Sequence, residues 1–249
     1  MRIARILGTA PGIPVLGKSH SALWCKTNGR NVLFDCGEGT AQKLLEYELD
    51  KDVLDAIIIS HLHPDHIIGL FMVLQMFHLQ KRVRPLTIYL PEAIDSVIKM
   101  MNTLYLFPER FEFQITVLDI SELKNMIPCI EPIKNSHLSN YRKFIEEHKV
   151  PNLMNSYSFF IHTYEKRIIY TSDIVNTQHL TEYIDDSDII IIDALHPSRE
   201  DICGIISQEE KLIILIHGLS DELQEALETI SHSNVIIAND GFQIDVEKN

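Results

Sequence analysis

His61, His63, Asp65 and His66 lie within six consecutive positions, in the stretch SHLHPDH that begins at Ser60. Imidazole nitrogens and carboxylate oxygens are ligands that Zn²⁺ takes at about 2.0–2.2 Å. His61 and His63 are two apart, so in an extended segment both side chains leave on the same side. Asp65 and His66 are adjacent, and at a helix start they diverge by about a quarter-turn. One strand-to-helix loop can therefore feed two cations, His61 and His63 one of them, Asp65 and His66 the other. The alternative is a polar loop without ligands, but a chance His-x-His-x-Asp-His is rare.

Two cations need further ligands, best aimed from the ends of buried strands. His137 closes the run PCIEPIKNSH, Asp173 closes RIIYTSD, and His217 closes KLIILIH just before Gly218. Each alone reads more readily as a turn or capping residue; beside the cluster, the three complete a ligand set. Two divalent ions about 3.5–4 Å apart hold a bridging hydroxide at neutral pH, which attacks phosphorus or a carbonyl carbon. Asp65 is the natural general base. The chemistry is hydrolysis, and a His/Asp set without cysteine suits Zn²⁺, with Mn²⁺ or iron also compatible.

The elements that must position these residues alternate β-rich runs with amphipathic stretches. Strands are expected at 2–7, 22–27, 31–35, 56–60, 86–90, 111–118, 129–134, 157–162, 168–171, 189–193, 212–216 and 235–238. Helices are expected at 39–49, 64–79, 93–106, 141–148, 179–184 and 221–231. No internal repeat or Pro/Gly/Ser linker divides the chain, so one domain over residues 1–249 is the economical reading. Such alternation points to sheets covered by helices in layers.

The 249 residues are 45% hydrophobic and 23% charged, the balance of a globular enzyme or binding protein. The apolar runs are too short to span a bilayer, and no signal-peptide core opens the chain, so a cytoplasmic location is expected. Cys25, Cys36, Cys129 and Cys203 are scattered and read as reduced thiols. A net charge of −13 works against nonspecific grip on a phosphate backbone. Lys81, Arg82 and Arg84 form the one tight basic cluster and read as a solvated helix end.

Around these motifs, VLFDCGEGTAQKLL (which contains Asp35), the opening ILGTAPGIP and the closing VIIANDGFQIDV resemble the metallo-β-lactamase superfamily, and within it the ribonuclease Z branch, which processes tRNA 3′ ends. The resemblance implies a four-layer αββα sandwich, two mixed β-sheets covered by helices, with two divalent ions, zinc by preference, at one sheet edge. It assigns His61, His63 and His137 to the first ion, Asp65, His66 and His217 to the second, and Asp173 as the bridge. Asp35 would orient a ligand histidine through its free ring N–H. The resemblance also raises a homodimer, with Met72, Met76 and Phe77 as contact or core residues.

The chain departs from that branch where substrate is chosen. The branch's His-Glu-Ala-Thr motif reads Ile192-Asp193-Ala194-Leu195 here, keeping a carboxylate, Asp193, but not the histidine; His196 is the candidate replacement as general acid. Between His137 and Asp173 there is no room for the branch's tRNA-gripping arm, and its Arg-Asn pair is replaced within Lys18-Ser19-His20-Ser21. The expected substrate is therefore a small phosphodiester, such as a cyclic nucleotide, with Ser139 and Arg142 as candidate contacts. Pre-tRNA cleavage and lactone or thioester hydrolysis are the alternatives.

Overall fold

The computed structural model describes residues 2–208, 210–229 and 233–245. The first half of the chain contributes β1 (Arg2–Gly8), β2 (Ala22–Thr27), β3 (Arg30–Phe34), α1 (Thr40–Glu46), β4 (Leu54–Ile58), α2 (Pro64–Ile67), α3 (Gly69–Leu79), β5 (Leu86–Leu90), α4 (Ile94–Thr103) and β6 (Ile115–Asp119). The second half contributes α5 (Leu123–Met126), β7 (Ile130–Asn135), α6 (Arg142–His148), β8 (Ser156–His162), β9 (Arg167–Tyr170), α7 (Thr181–Asp186), β10 (Ile189–Asp193), α8 (Arg199–Ile206), β11 (Leu212–Ile216), α9 (Asp221–Thr229), β12 (Val235–Ile237) and β13 (Gln243–Asp245).

One sheet has the order β13-β1-β2-β3-β4-β5-β6 and the other β12-β11-β10-β9-β8-β7. Both are mixed: antiparallel hairpins lead into parallel strands from β3 onward and from β9 onward. Parallel neighbours need crossovers. Helices α1, α3 and α4 supply them on one face, and α7, α8 and α9 on the other.

Strand parity makes the layers. Val32, Phe34 and Ile58 point between the sheets, where they meet Phe159, Ile168, Tyr170, Ile189 and Ile191. Leu33, Ile57 and Ile59 turn outward beneath α3 and α4, while Ile190, Ile192 and Ile213 turn toward α7 and α8. Strands covered on both faces read as continuous β-branched runs, which is why Ile189–Ile192 shows no polar alternation. This is the αββα metallo-β-lactamase sandwich that the sequence motifs led us to expect.

Some boundaries moved, for local reasons. The 64–79 helix is interrupted at Ile68, just before Gly69, where a Cβ would meet the Gly37 carbonyl at 2.0 Å. The 111–118 strand begins only at Ile115, because a turn at Pro108–Arg110 leads Phe111 and Phe113 into a stacked pair. Helix α8 was not anticipated, although Ser198 caps it by accepting from the Asp201 N–H. The expected helix end at Ser231 lies outside the described residues. Phe77 joins the core under α3, whereas Met72 is exposed.

Arg82 corrects the reading of a solvated helix end: it is 1% exposed. Its guanidinium donates to the carbonyls of Lys51, Leu54, Arg84 and Pro85, and its plane lies over the rings of Phe77 and Phe113. It ties the start of β4 to the start of β5. Replacing Arg82 by Met removes every donor and strands buried carbonyls, so stability to urea should fall by at least ~2 kcal/mol. A loss below ~0.5 kcal/mol would contradict this role.

Candidate metal centre

The strands end at one edge of the sandwich, and three left-handed residues turn the chain there. Asp35 follows β3 at φ 57°, Ser172 follows β9 at φ 49°, and His217 follows β11 at φ 66°. Such backbone costs roughly 1–3 kcal/mol per residue and persists only where its surroundings demand it. His61 and His63 lie in the loop after β4, and Asp65 and His66 in the first turn of α2, where Pro64 fixes the entry. The Cys36 N–H donates to the His66 carbonyl at 2.7 Å. A side chain at Gly37 would meet the Asp65 carbonyl at 2.2 Å, so only glycine lets the DCGEG turn lie against the ligand loop.

Asp35 is fully buried and organises this edge. Its Oδ1 accepts from the Ser60 N–H at 2.8 Å, and its Oδ2 accepts from Tyr170 Oη at 2.7 Å. The His66 ring nitrogen Nδ1, 3.0 Å from Oδ2, must carry the proton, because the carboxylate only accepts. With Nδ1 held by Asp35, His66 faces the cluster through Nε2. Ser60 Oγ lies 3.0 Å from His61 Nδ1, and Ser21 Oγ 3.2 Å from His217 Nδ1, so these rings too face inward through Nε2.

The inward-facing atoms converge on Asp173, which is 2% exposed. Its Oδ1 lies 3.2 Å from His66 Nε2; its Oδ2 lies 3.3 Å from His217 Nε2, 3.4 Å from His137 Nε2 and 3.8 Å from His61 Nε2. His63 Nδ1 is 3.3 Å from His137 Nε2. Donor atoms of His61, His63, His137 and Asp173 lie within 4.8 Å of one another, as do those of Asp65, His66, Asp173 and His217. The structure thus brings together the seven candidate ligands named from the sequence, with Asp173 common to both groups and also within this reach of Asp193 and His196.

Burial dominates the electrostatics of the first group. It lowers His61 well below the ordinary histidine range, helped by nearby His66, and lowers His137 to about 4. Both rings are therefore neutral, the form that ligates a cation. For His66, burial is outweighed by Asp173 and Asp35, and its pKa is raised well above the ordinary value. Asp173 resists the upward pull of burial and stays well below the carboxylate range through His66 and His217.

Whether such a cluster fits metal is decided by its unsatisfied atoms. His61 Nε2, His63 Nε2, His66 Nε2 and Asp173 Oδ1 are buried without a well-aligned hydrogen-bond partner among the described residues. Buried polar atoms are nearly always partnered. Ring nitrogens and carboxylate oxygens gathered around Asp173 suit a divalent cation, which replaces any proton they carry, so the residues present fit divalent metal.

Asp193, fully buried, behaves differently. Its Oδ2 accepts from the Ile174 N–H at 3.1 Å and lies 2.8 Å from His196 Nδ1, and its Oδ1 accepts from the Leu195 N–H at 2.9 Å. Both oxygens are spent on holding His196, whose Nδ1 is 4.0 Å from Asp173. The Asp193 contact raises the His196 pKa against the effect of burial. Ser139 and Arg142 lie beyond His137, in a 3₁₀ turn and at the start of α6; both are exposed, and Arg142 makes no ion pair among the described residues. Residue-type patterns missed Ser21, Ser60, Tyr170 and Ser172, which hold the rings and Asp35; for Tyr170 and Ser172 the one signal was the polar triplet Thr171–Asp173 ending a buried strand.

A family model described as anti-Pycsar protein Apyc1 matches residues 4–217. Ribonuclease Z of Methanococcus aeolicus is 34% identical over 155 residues, covering 59% of this chain and 47% of that protein. The chain thus spans about half the length of the curated relatives it matches. Among solved structures, the metallo-β-lactamase fold protein YhfI of Bacillus subtilis superposes with a TM-score of 0.72 at 21% identity, covering 97% of this chain and 98% of that one. The short form of human tRNase Z gives 0.70 at 20% identity, covering 98% and 99%.

The Asp35 contact can be tested by Asp35→Asn, which keeps the shape but weakens the hold on His66. Zn²⁺ affinity measured by chelator competition should fall by roughly 10–100-fold with the fold retained by circular dichroism. Unchanged affinity would remove Asp35 from the centre.

Proposed function

Because the chain belongs to the family of the anti-Pycsar protein Apyc1, on the ribonuclease Z-like branch of the metallo-β-lactamase superfamily, we propose that it is a metal-dependent phosphodiesterase acting on a small phosphodiester such as a cyclic nucleotide. The observation that carries this reading is the paired donor set sharing Asp173, beside a histidine held separately by Asp193. His61, His63 and His137 would hold one divalent ion and Asp65, His66 and His217 a second, with the Asp173 carboxylate within reach of both groups. Two such ions, zinc by preference, lower the pKa of water and absorb negative charge developing on phosphate.

The chain's own residues do the rest. Asp65 Oδ2 lies 3.5 Å from His66 Nε2 and 4.0 Å from His217 Nε2, at the mouth of the second group, where it can take the proton of the attacking water. His196 is fixed through Nδ1, so Nε2 is its free nitrogen. In its protonated form, favoured by Asp193, it donates to the departing ester oxygen, the general-acid role. Arg142, exposed at the start of α6, is the candidate contact for an anionic substrate. Asp35 and Asp193 act as positioning residues.

Residues between His137 and Asp173 form a 3₁₀ turn, the seven-residue α6 and the β8–β9 hairpin, with no further element to grip a tRNA elbow. Ribonuclease Z relatives keep pre-tRNA as the comparison substrate.

Zn²⁺- or Mn²⁺-loaded protein should hydrolyse bis(p-nitrophenyl) phosphate and a 3′,5′-cyclic nucleotide and lose both activities to chelator. No turnover by demonstrably metal-loaded protein would overturn the reading, and preferential cleavage of pre-tRNA after its discriminator base would redirect it. His196→Ala should lower kcat on the cyclic nucleotide by about 10²–10⁴-fold, the usual contribution of a general acid. With the better p-nitrophenolate leaving group the loss should be much smaller; equal losses on both would remove the general-acid role.

A further inference from the structure

A cleft of about 370 Å³ opens beside the metal centre, with His63 in its wall. Pockets of this size suit a small ligand rather than a polymer. Its lining is largely apolar, contributed by Leu62, Leu138 and the α6 face. Two aromatic rings stand at its rim: Tyr141 is 50% and Phe144 56% exposed. Tyr141 meets the His63 ring edge-on at 5.7 Å, so the aromatic rim is continuous with the metal ligands. Helix α6 carries Arg142, Lys143, Glu146 and Glu147 on its other positions, while Ile145 joins Phe144 in the cleft lining and the Phe144 ring leans on His148 at 4.2 Å.

Glu92 supplies a carboxylate to the same lining although it is only 5% exposed. Its Oε2 accepts from the Leu153 N–H at 2.6 Å, and Asn155 Nδ2 donates to the Pro91 carbonyl at 2.9 Å, which fixes the 152–155 loop beside it. Oε1 receives no hydrogen bond from the described residues. An anchored carboxylate with one open oxygen accepts from an N–H edge and repels a second phosphate. Flat apolar walls, aromatic rims and one fixed acceptor match the faces and edge of an amino-bearing heterocycle.

We propose that this cleft binds the base of a mononucleotide diester, stacked against Tyr141 and Phe144, with an exocyclic amine donating to Glu92 Oε1. The proposal rests on the phosphodiesterase reading, since it places the base next to the metals that would hold the phosphate. It makes Glu92 a specificity residue and favours single nucleotides over chains.

Adenosine and purine riboside, which differ by the exocyclic amine alone, separate the two claims. Their binding to the whole chain, Zn²⁺-loaded and after chelation, is to be measured by calorimetry, alongside turnover of cyclic AMP and its cyclic purine riboside analogue. Adenosine should bind about tenfold more tightly, the size expected of a hydrogen bond to a charged group. Glu92→Gln still accepts from the Leu153 N–H and so folds, but turns an amide donor to the cleft; it should abolish the preference. Phe144→Ala should weaken both nucleosides together. Equal binding of the two nucleosides, no binding of either, or an unchanged preference in Glu92→Gln overturns the proposal, and does so even where cyclic AMP is hydrolysed. Loss of all phosphodiester turnover with the binding preference intact would instead overturn the reading it rests on and leave the cleft assigned.

Discussion

A single buried carboxylate, Asp173, is the constraint from which the site follows. One of its oxygens faces His66 and the other faces His61, His137 and His217, rings carried by both sheets. Removing a carboxylate from water costs several kcal/mol unless positive charge compensates it. Here four rings surround it, and burial keeps His61 and His137 from supplying that charge as imidazolium. The arrangement is satisfied most fully by cations between the rings and Asp173, which is why the orphaned nitrogens weigh more than the number of histidines.

The two sheets make this convergence affordable. Hydrophobic burial of about 1.5–3 kcal/mol for each large side chain between the layers stabilises strand ends that leave through left-handed turns. Phe34 precedes Asp35, Ile216 precedes His217, and Tyr170 both packs against Phe34 and donates to Asp35. Core and site are thus connected through particular residues: displacing Tyr170 would disturb both the packing and the histidine tautomer.

Much of this was legible in the sequence because it is local. The spacing in HLHPDH, and polar residues closing isoleucine-rich strands, report directly on side chains that leave one edge. The alternation of strand and helix segments pointed to sheets covered by helices in layers, and the family resemblance supplied the αββα order. What stayed hidden depends on distant segments. Arg82 looks like part of a solvated basic run, and nothing local shows that carbonyls at Lys51 and Leu54 await it. The cleft draws Glu92 from beyond β5, Tyr141 from the turn before α6 and His63 from the ligand loop, three segments that no spacing relates. Ser21 and Ser60 hold rings, yet serine before a strand or after one carries no signal of that task.

The central claim is that two divalent ions share Asp173. Anomalous diffraction from crystals of the Zn²⁺-loaded protein, recorded on both sides of the zinc absorption edge, tests it without reference to any substrate. Two peaks are expected, one among His61, His63 and His137, the other among Asp65, His66 and His217, with Asp173 reaching both. A lone peak at Asp193 and His196, or no peak within the cluster, would contradict the account.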